Sequence, residues 1–231
     1  MNKTQLLVLM IPVILFSLTV HEYSHGKMAL LLGDDTAKRL GRLSFNPMRH
    51  LDILGVLFFY FVGFGWAKPV PVDPRNFVSP RRDMMYVAIA GPLSNIALAV
   101  GCSIFICLIP HPILPLERGL SSLTADFSYL FVILAYGIWI NVALAIFNML
   151  PMYPLDGSSV LKGMVSQKIA EKITNLDRFG AFVILGVFLL DHFAHTGILG
   201  TILMLPINYS VLFLSQETFP MIIEVLRASF A

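Results

Sequence analysis

Long apolar runs separated by short polar segments dominate the chain. A helix that spans a bilayer needs about 20 mainly apolar residues. Five runs approach or exceed that length: Gln5 to Leu32, Met84 to Ile109, Tyr129 to Leu150, Phe179 to Phe193 and Ile198 to Leu214. The last two are short and only residues 195–197 separate them, which predicts a tight helical hairpin. The pattern predicts an all-α polytopic membrane protein with about five to six transmembrane helices.

A further apolar run, Ile53 to Trp66, is too short for a comfortable span. It contains three glycines, and three prolines follow between residues 69 and 74. These features predict a re-entrant, membrane-associated hairpin that enters the bilayer and returns. Its backbone polar groups would need protein or water partners, because irregular backbone facing lipid is not tolerated.

Basic residues in short loops predict the orientation, because such loops stay in the cytoplasm. Segments 33–52 and 68–83 are both rich in Lys and Arg. Both segments can be cytoplasmic only if the run from Ile53 to Trp66 enters the membrane and returns to the same side. Segment 151–178 is also basic, whereas segment 110–128 has Arg118 alone. We therefore expect a multi-pass protein of the cell membrane with its N-terminus outside and its C-terminus inside.

Composition narrows the class of protein further. Hydrophobic residues make up 57% of the 231 residues and charged residues 13%, against about 25% charged in soluble domains. Lipid is therefore the expected solvent for most of the surface. The formal net charge of +2 and the scattered basic residues predict no nucleic-acid partner. Cys102 and Cys107 fall on different faces of one predicted helix, so we expect no disulfide framework.

The candidate chemistry begins with His21-Glu22-Tyr23-Ser24-His25 at the end of the first apolar run. On a helix, His21 and His25 project from one face and can hold one Zn²⁺ ion. Glu22 then lies beside the open coordination position, where it can take a proton from water and pass it to a leaving amine. Ionisable residues inside an apolar helix usually serve a site. The alternative is a cluster that simply meets water at the membrane interface.

A zinc hydrolase normally takes a third ligand from elsewhere in the chain. Asp156 is the best candidate, because it follows a predicted spanning helix that ends on the same side as His25. The alternative for Asp156 is a helix N-cap after Pro154. Three competing aspartates lie in basic loops where we expect them to be solvated: Asp34, Asp35 and Asp52.

Three motifs in this order resemble the site-2 proteases, the intramembrane zinc metalloproteases of peptidase family M50. They are the HExxH sequence of residues 21–25, the Gly91-Pro92-Leu93-Ser94-Asn95 element and the stretch from Asn148 to Gly157. The resemblance runs from about Gln5 to Gly163. It implies one zinc ion per chain, held by His21, His25 and Asp156, with Glu22 as general base and acid.

The resemblance also implies roles for residues around the zinc. Asn148, and less directly Asn95, would position substrate or stabilise the oxyanion; an interhelical hydrogen bond is the equal alternative for Asn95. The hairpin would bind an unwound transmembrane substrate at a strand edge through Gly63-Phe64-Gly65-Trp66, or it would only cap the core.

The expected function is hydrolysis of peptide bonds in transmembrane protein substrates, with the active site toward the cytoplasmic side. The alternative is a membrane transporter that uses the same cluster for a metal ion or proton. We expect one membrane-embedded domain over residues 1–231, with a core at about 5–163, a helical hairpin at about 179–214 and no PDZ or CBS domain. Four other histidines are expected to lie outside the site: His50, His111, His192 and His195.

Overall fold

The computed structural model describes residues 3–62, 65–108 and 125–230. The helices of these ranges are α1 (Lys3–Leu31), α2 (Thr36–Arg39), α3 (Ile53–Val62), α4 (Pro80–Leu108), α5 (Ala125–Asn148), α6 (Asp156–Met164), α7 (Gln167–Ala194), α8 (Ile198–Ser215) and α9 (Phe219–Phe230). Within these ranges there is no strand, only one isolated antiparallel bridge between Leu51 and Ala67. The predicted all-α class is confirmed.

Four of these helices are long and apolar enough to cross a membrane. They cover Thr4–Leu31, Pro80–Leu108, Tyr129–Asn148 and Gln167–Asp191, and α8 adds the shorter apolar stretch Gly200–Ser215. Large apolar side chains point outward from several of them, among them Phe16, Phe105 and Phe182, which are 57%, 63% and 73% exposed. Such faces need lipid as their solvent, so the chain is a polytopic membrane protein. The count of five to six spans stays a prediction.

The main core lies between α1, α4, α5, α8 and α9. Phe131, Val132 and Tyr136 of α5 are fully buried there, and Ile222 of α9 packs against the same cluster. The Tyr136 hydroxyl also hydrogen-bonds to Ser229 of α9. The sequence pattern did not predict α9, whose buried apolar face completes this core.

The segment from Leu51 to Ala67 differs from the predicted strand-edged hairpin, because α3 occupies most of it. Its two ends do meet: the Lys68 N–H donates to His50 O at 2.8 Å, and the Arg42 guanidinium donates to Lys68 O at 2.8 Å. The two basic segments therefore lie together, as the loop charges predict. Ile53 and Phe61 of α3 are 79% and 71% exposed. Insertion of this apolar helix in the bilayer stays a prediction.

The segment 151–178, expected on the cytoplasmic side, contains α6 and the start of α7. The Lys162 ammonium of α6 pairs with the Asp177 carboxylate of α7 at 2.7 Å. Nearby, a Cβ atom at Gly180 would lie 2.1 Å from Tyr153 O, so only glycine lets α7 pack against the turn before α6. Residues 195–197 separate α7 from α8, and α7 begins at Gln167, well before Phe179.

Candidate metal centre

Three side chains from two distant parts of the chain converge inside the bundle. His21 and His25 lie one turn apart on α1, and Asp156 is the first residue of α6. The Nε2 atoms of the two histidines are 3.0 Å apart, and the Asp156 Oδ2 atom lies 3.2 Å from the first and 3.4 Å from the second. Both imidazoles are buried, and Asp156 is partly buried.

This spacing fits a zinc ion. Tetrahedral zinc with ligands at about 2.0–2.2 Å places its ligand atoms roughly 3.3–3.5 Å apart, close to the three distances above. The Asp156 Oδ2 atom is buried and has no hydrogen-bond partner among the described residues, despite its nearness to both rings. A buried carboxylate oxygen needs a compensating partner, and a cation between the three ligand atoms would supply one.

Asp156 is ionised at neutral pH. Burial raises the pKa of its carboxyl group, but the adjacent rings of His21 and His25 outweigh burial and lower that pKa to about 2. The carboxylate is therefore in the form that binds a metal.

Hydrogen bonds on the far side of each ring fix the orientation of the two histidines. The Nδ1 atom of His21 lies 2.6 Å from Asn95 Oδ1, and the Nδ1 atom of His25 lies 2.7 Å from Val87 O. Such bonds leave Nε2 as the possible ligand atom of each ring and direct it toward the Asp156 carboxylate. Both partners belong to α4, so this helix orients the centre although it supplies no ligand.

The backbone of α4 also passes directly beside the rings at Gly91. A Cβ atom there would lie 2.4 Å from His25 Nε2 and 2.7 Å from His21 Cε1. Only glycine leaves room for both imidazoles in this arrangement.

Glu22, the neighbour of His21 on α1, is bound by the segment that follows α3. Its Oε2 atom accepts a hydrogen bond from the Val70 N–H at 2.8 Å. Val70 lies between Pro69 and Pro71, which have no N–H group. Sequence reasoning missed this contact, although a single N–H donor between two prolines was a visible signal.

The structure treats the two predicted asparagines differently. Asn95 has no exposed surface and both of its polar atoms form interhelical hydrogen bonds, so the geometry favours that alternative over contact with substrate. Asn148 donates to Leu144 O one turn earlier at 2.9 Å. Within the described part of the chain, Asn148 forms no hydrogen bond with His21, His25 or Asp156, so its position near the metal stays a prediction.

The proposed substrate-binding stretch is described only in part. Gly63 and Phe64 lie outside the described residues, and Gly65 is half-buried. Trp66 is 44% exposed and its ring packs against Phe58 of α3 at 5.6 Å between centroids.

The expectation that Asp34 is solvated is wrong. Asp34 has no exposed surface, and its carboxylate accepts hydrogen bonds from the Asp73 N–H at 2.8 Å, from the Asn76 amide at 2.7 Å and from Thr36. It ties the end of α1 to the segment that carries Val70. Burial depends on tertiary contacts that the charge pattern of a loop does not reveal.

The other residues placed outside the site occupy peripheral positions. Asp35 is exposed and pairs with Arg39 at 3.1 Å, and Asp52 caps the start of α3. His50 is a loop residue as expected, but it is buried and bonds to Ser44 O at 2.7 Å. His111 lies outside the described residues, His192 lies near the end of α7 and His195 lies in the exposed turn after it.

A bundle of apolar helices around a buried cluster of two histidines and one carboxylate defines a membrane protein with a candidate metal centre. The family model described as Peptidase family M50 matches residues 9–190. The chain belongs to peptidase family M50.

Two relatives agree with this assignment. The chain is 38% identical over 175 residues to a Bacillus subtilis (strain 168) protein named "Putative zinc metalloprotease YwhC", covering 76% of this chain and 77% of the relative. It is 29% identical over 151 residues to "Putative zinc metalloprotease sll0528" of Synechocystis sp., covering 65% of this chain and 30% of that protein. No solved structure matches.

Proposed function

We propose that this protein is an intramembrane zinc metalloprotease of the site-2 protease type that hydrolyses peptide bonds of transmembrane proteins. The observation that carries the proposal is the convergence of His21, His25 and Asp156 at spacings that suit one zinc ion. Membership of a peptidase family and the apolar outer faces of the bundle support it.

In this proposal His21, His25 and Asp156 hold the zinc. When bound, zinc supplies Lewis-acid chemistry, because it polarises a carbonyl and makes water more acidic. Glu22 accepts the proton of the attacking water and delivers it to the leaving amine. The Val70 N–H holds one oxygen of that carboxylate, so Glu22 keeps a fixed orientation while the other oxygen exchanges the proton.

The substrate in this proposal is the transmembrane segment of another protein, which enters from the bilayer and unwinds before hydrolysis. The residues around Trp66 and the prolines after it are the candidate contact surface for the unwound stretch. Asn148, at the end of α5, is a candidate for positioning the substrate carbonyl. The site faces the cytoplasmic side, because both basic segments lie next to it.

A metal-ion or proton transporter would use the same buried ionisable residues. Family membership favours hydrolysis over transport, and Glu22 distinguishes the two functions. A transport site does not need a general base at this position, whereas hydrolysis does.

The test combines metal analysis of the purified protein with cleavage of a panel of transmembrane peptides. Wild type and Glu22→Gln should each contain about one zinc per chain, and the variant should lose about 10²- to 10⁴-fold in cleavage rate, the usual contribution of a general base. Glu171→Gln, the same chemical change on the exposed surface of α7, should behave as wild type. Absence of zinc from wild type, or full cleavage by Glu22→Gln, would contradict the proposal. Metal flux into sealed vesicles that Glu22→Gln leaves unchanged would support transport instead.

A further inference from the structure

Three polar side chains lie behind His21 in the apolar interior of the bundle. Ser17 of α1 and Asn95 of α4 have no exposed surface, and Asn141 of α5 is 2% exposed. A buried amide or hydroxyl group without a hydrogen bond destabilises a protein. Their bonding pattern is therefore strongly determined, and it connects α5 to the candidate metal centre.

Two contacts of its Nδ2 atom determine the orientation of the Asn141 side-chain amide. Its Nδ2 atom lies 2.8 Å from Gly137 O and 2.9 Å from Ser17 Oγ. A backbone carbonyl only accepts hydrogen bonds, so the NH₂ group of Asn141 must face Gly137. Its Oδ1 atom consequently faces α4.

This orientation determines the next two groups. Asn141 Oδ1 lies 2.7 Å from Asn95 Nδ2 and accepts its N–H, which directs Asn95 Oδ1 toward His21. That oxygen lies 2.6 Å from His21 Nδ1 and accepts only, so Nδ1 carries the proton. The unprotonated nitrogen of His21 is then Nε2, the atom that faces His25 and Asp156.

The two histidines obtain the same tautomer by different means. His25 donates from Nδ1 directly to Val87 O, a backbone carbonyl that cannot rotate away. His21 depends on an amide side chain, which would present a donor instead if it turned over. The geometry points to Asn141 as the positioning residue that fixes Asn95 and so keeps Nε2 of His21 free to bind the metal. This inference rests on the proposed zinc site.

Replacing Asn141 by Leu removes the acceptor for Asn95 Nδ2. The Asn95 Nδ2 atom then keeps only a long contact with Ser17 O at 3.4 Å, and the NH₂ group can turn toward His21 Nδ1. That arrangement favours the tautomer with the proton on Nε2, which blocks metal binding. We expect zinc affinity to fall about 10- to 100-fold, as for other partners of metal-bound histidines.

The decisive experiment repeats this change in an Asn95→Asp background. A carboxylate presents an acceptor to His21 Nδ1 in either orientation, so Asn141 no longer decides the tautomer. Zinc affinity, measured on the full-length detergent-solubilised protein against a competing chelator, should therefore change less than about threefold between Asn95→Asp and the double variant. Tyr136→Phe, which removes a buried hydrogen bond from the same helix, should leave zinc affinity unchanged.

Two results would overturn the inference: unchanged zinc affinity in Asn141→Leu, or an equal loss in both backgrounds. If Asn141→Leu fails to fold, nitrogen-15 NMR of histidine-labelled, metal-free wild type gives an independent answer. Neutral His21 protonated on Nδ1 supports the inference, and protonation on Nε2 contradicts it. A wild type that binds no zinc would instead count against the proposed function.

Discussion

Close packing of a helix backbone against two imidazole rings distinguishes Gly91 from Gly101, the other glycine of α4. The ring atoms of His21 and His25 occupy the space that any Cβ atom would take. The same helix has Gly101, where an added Cβ would meet nothing within 4 Å. Alanine substitutions at these two glycines therefore distinguish an effect on the metal centre from an effect on the stability of the helix.

We predict that Gly91→Ala displaces the two imidazoles and lowers zinc affinity by at least about tenfold. Gly101→Ala should keep wild-type zinc affinity and stabilise the helix by about 0.5–1 kcal/mol. Chelator competition measures the first effect and thermal unfolding measures the second. Equal zinc affinity in both variants would mean that the rings do not depend on this glycine.

The ionised Asp34 carboxylate makes the stability of the fold depend on pH. Burial raises the pKa of its carboxyl group, but hydrogen bonds from Thr36, Asp73 and Asn76 outweigh burial and lower that pKa below its usual 3.8. A lowered pKa means that the carboxylate stabilises the fold above about pH 4 and that this contribution disappears as the pH falls through the lowered value.

We therefore expect Asp34→Asn to lower the free energy of unfolding by about 1–3 kcal/mol near neutral pH. The difference in the free energy of unfolding between this variant and wild type should shrink as the pH falls below 4. Hydrogen exchange of the segment from Asp34 to Asn76 should rise in the same variant. Asp35→Asn, which breaks only an exposed pair with Arg39, should change stability by less than about 0.5 kcal/mol. A constant difference between wild type and Asp34→Asn from pH 2 to 7 would contradict the assignment.

The irregular segment after α3 holds the Glu22 carboxylate in place. Val70 provides the N–H that holds Glu22, and its side chain packs closely on Gly26 of α1. Pro69 and Pro71 favour extended backbone on both sides of it. The donor can therefore be removed without changing the local conformation.

We predict that Val70→Pro lowers kcat about 10- to 100-fold, the loss expected for a hydrogen bond to a charged group. Zinc content should stay at the wild-type level, because no ligand is touched. Val70→Ala keeps the N–H and removes most of the side chain, so it controls for packing on Gly26. Equal kcat in the two variants would show that the hydrogen bond does not serve Glu22.

The sequence predicted those elements whose hydropathy alone decides their structure. The spans around residues 5–32, 84–109 and 129–150 match α1, α4 and α5 closely. The apolar run predicted from Phe179 covers only the later part of α7, because charged residues interrupt the hydropathy pattern of its first turns, where Asp177 pairs with Lys162 of α6. Helix α9 was missed because it is short and amphipathic.

The same limit applies to the site. HExxH spacing and the aspartate after a spanning helix predicted which residues converge, because helix periodicity and loop charge determine their face and depth. Asn141 and Ser17 gave no such signal. Their position behind His21 depends on how α1, α4 and α5 pack, and no local pattern contains that information.

At the scale of the whole molecule, both ends of the segment from Leu51 to Ala67 meet on one side of the bundle. We predict that single cysteines at Lys38 and Arg75 react with a membrane-impermeant maleimide only from the cytoplasmic face. His195→Cys, in the turn between α7 and α8, should react only from outside. The background carries Cys102→Ala and Cys107→Ala, and sealed vesicles of both orientations provide the measurement. If the cysteines at Lys38 and Arg75 reacted from opposite faces of the membrane, α3 would have to cross it.

The stretch from Lys68 to Pro71 has a consequence for any peptide that lies along it. The Lys68 N–H is bonded to His50, the Val70 N–H is bonded to Glu22, and the two prolines have none. Arg42 already donates to the carbonyl oxygens of Lys68 and Pro69, so the stretch offers the carbonyl oxygens of Val70 and Pro71 to a neighbouring strand but no spare amide hydrogen. A peptide bound here must supply its own amide hydrogens, so N-methylation of the facing peptide bonds would weaken binding, whereas replacing their carbonyl groups would have little effect.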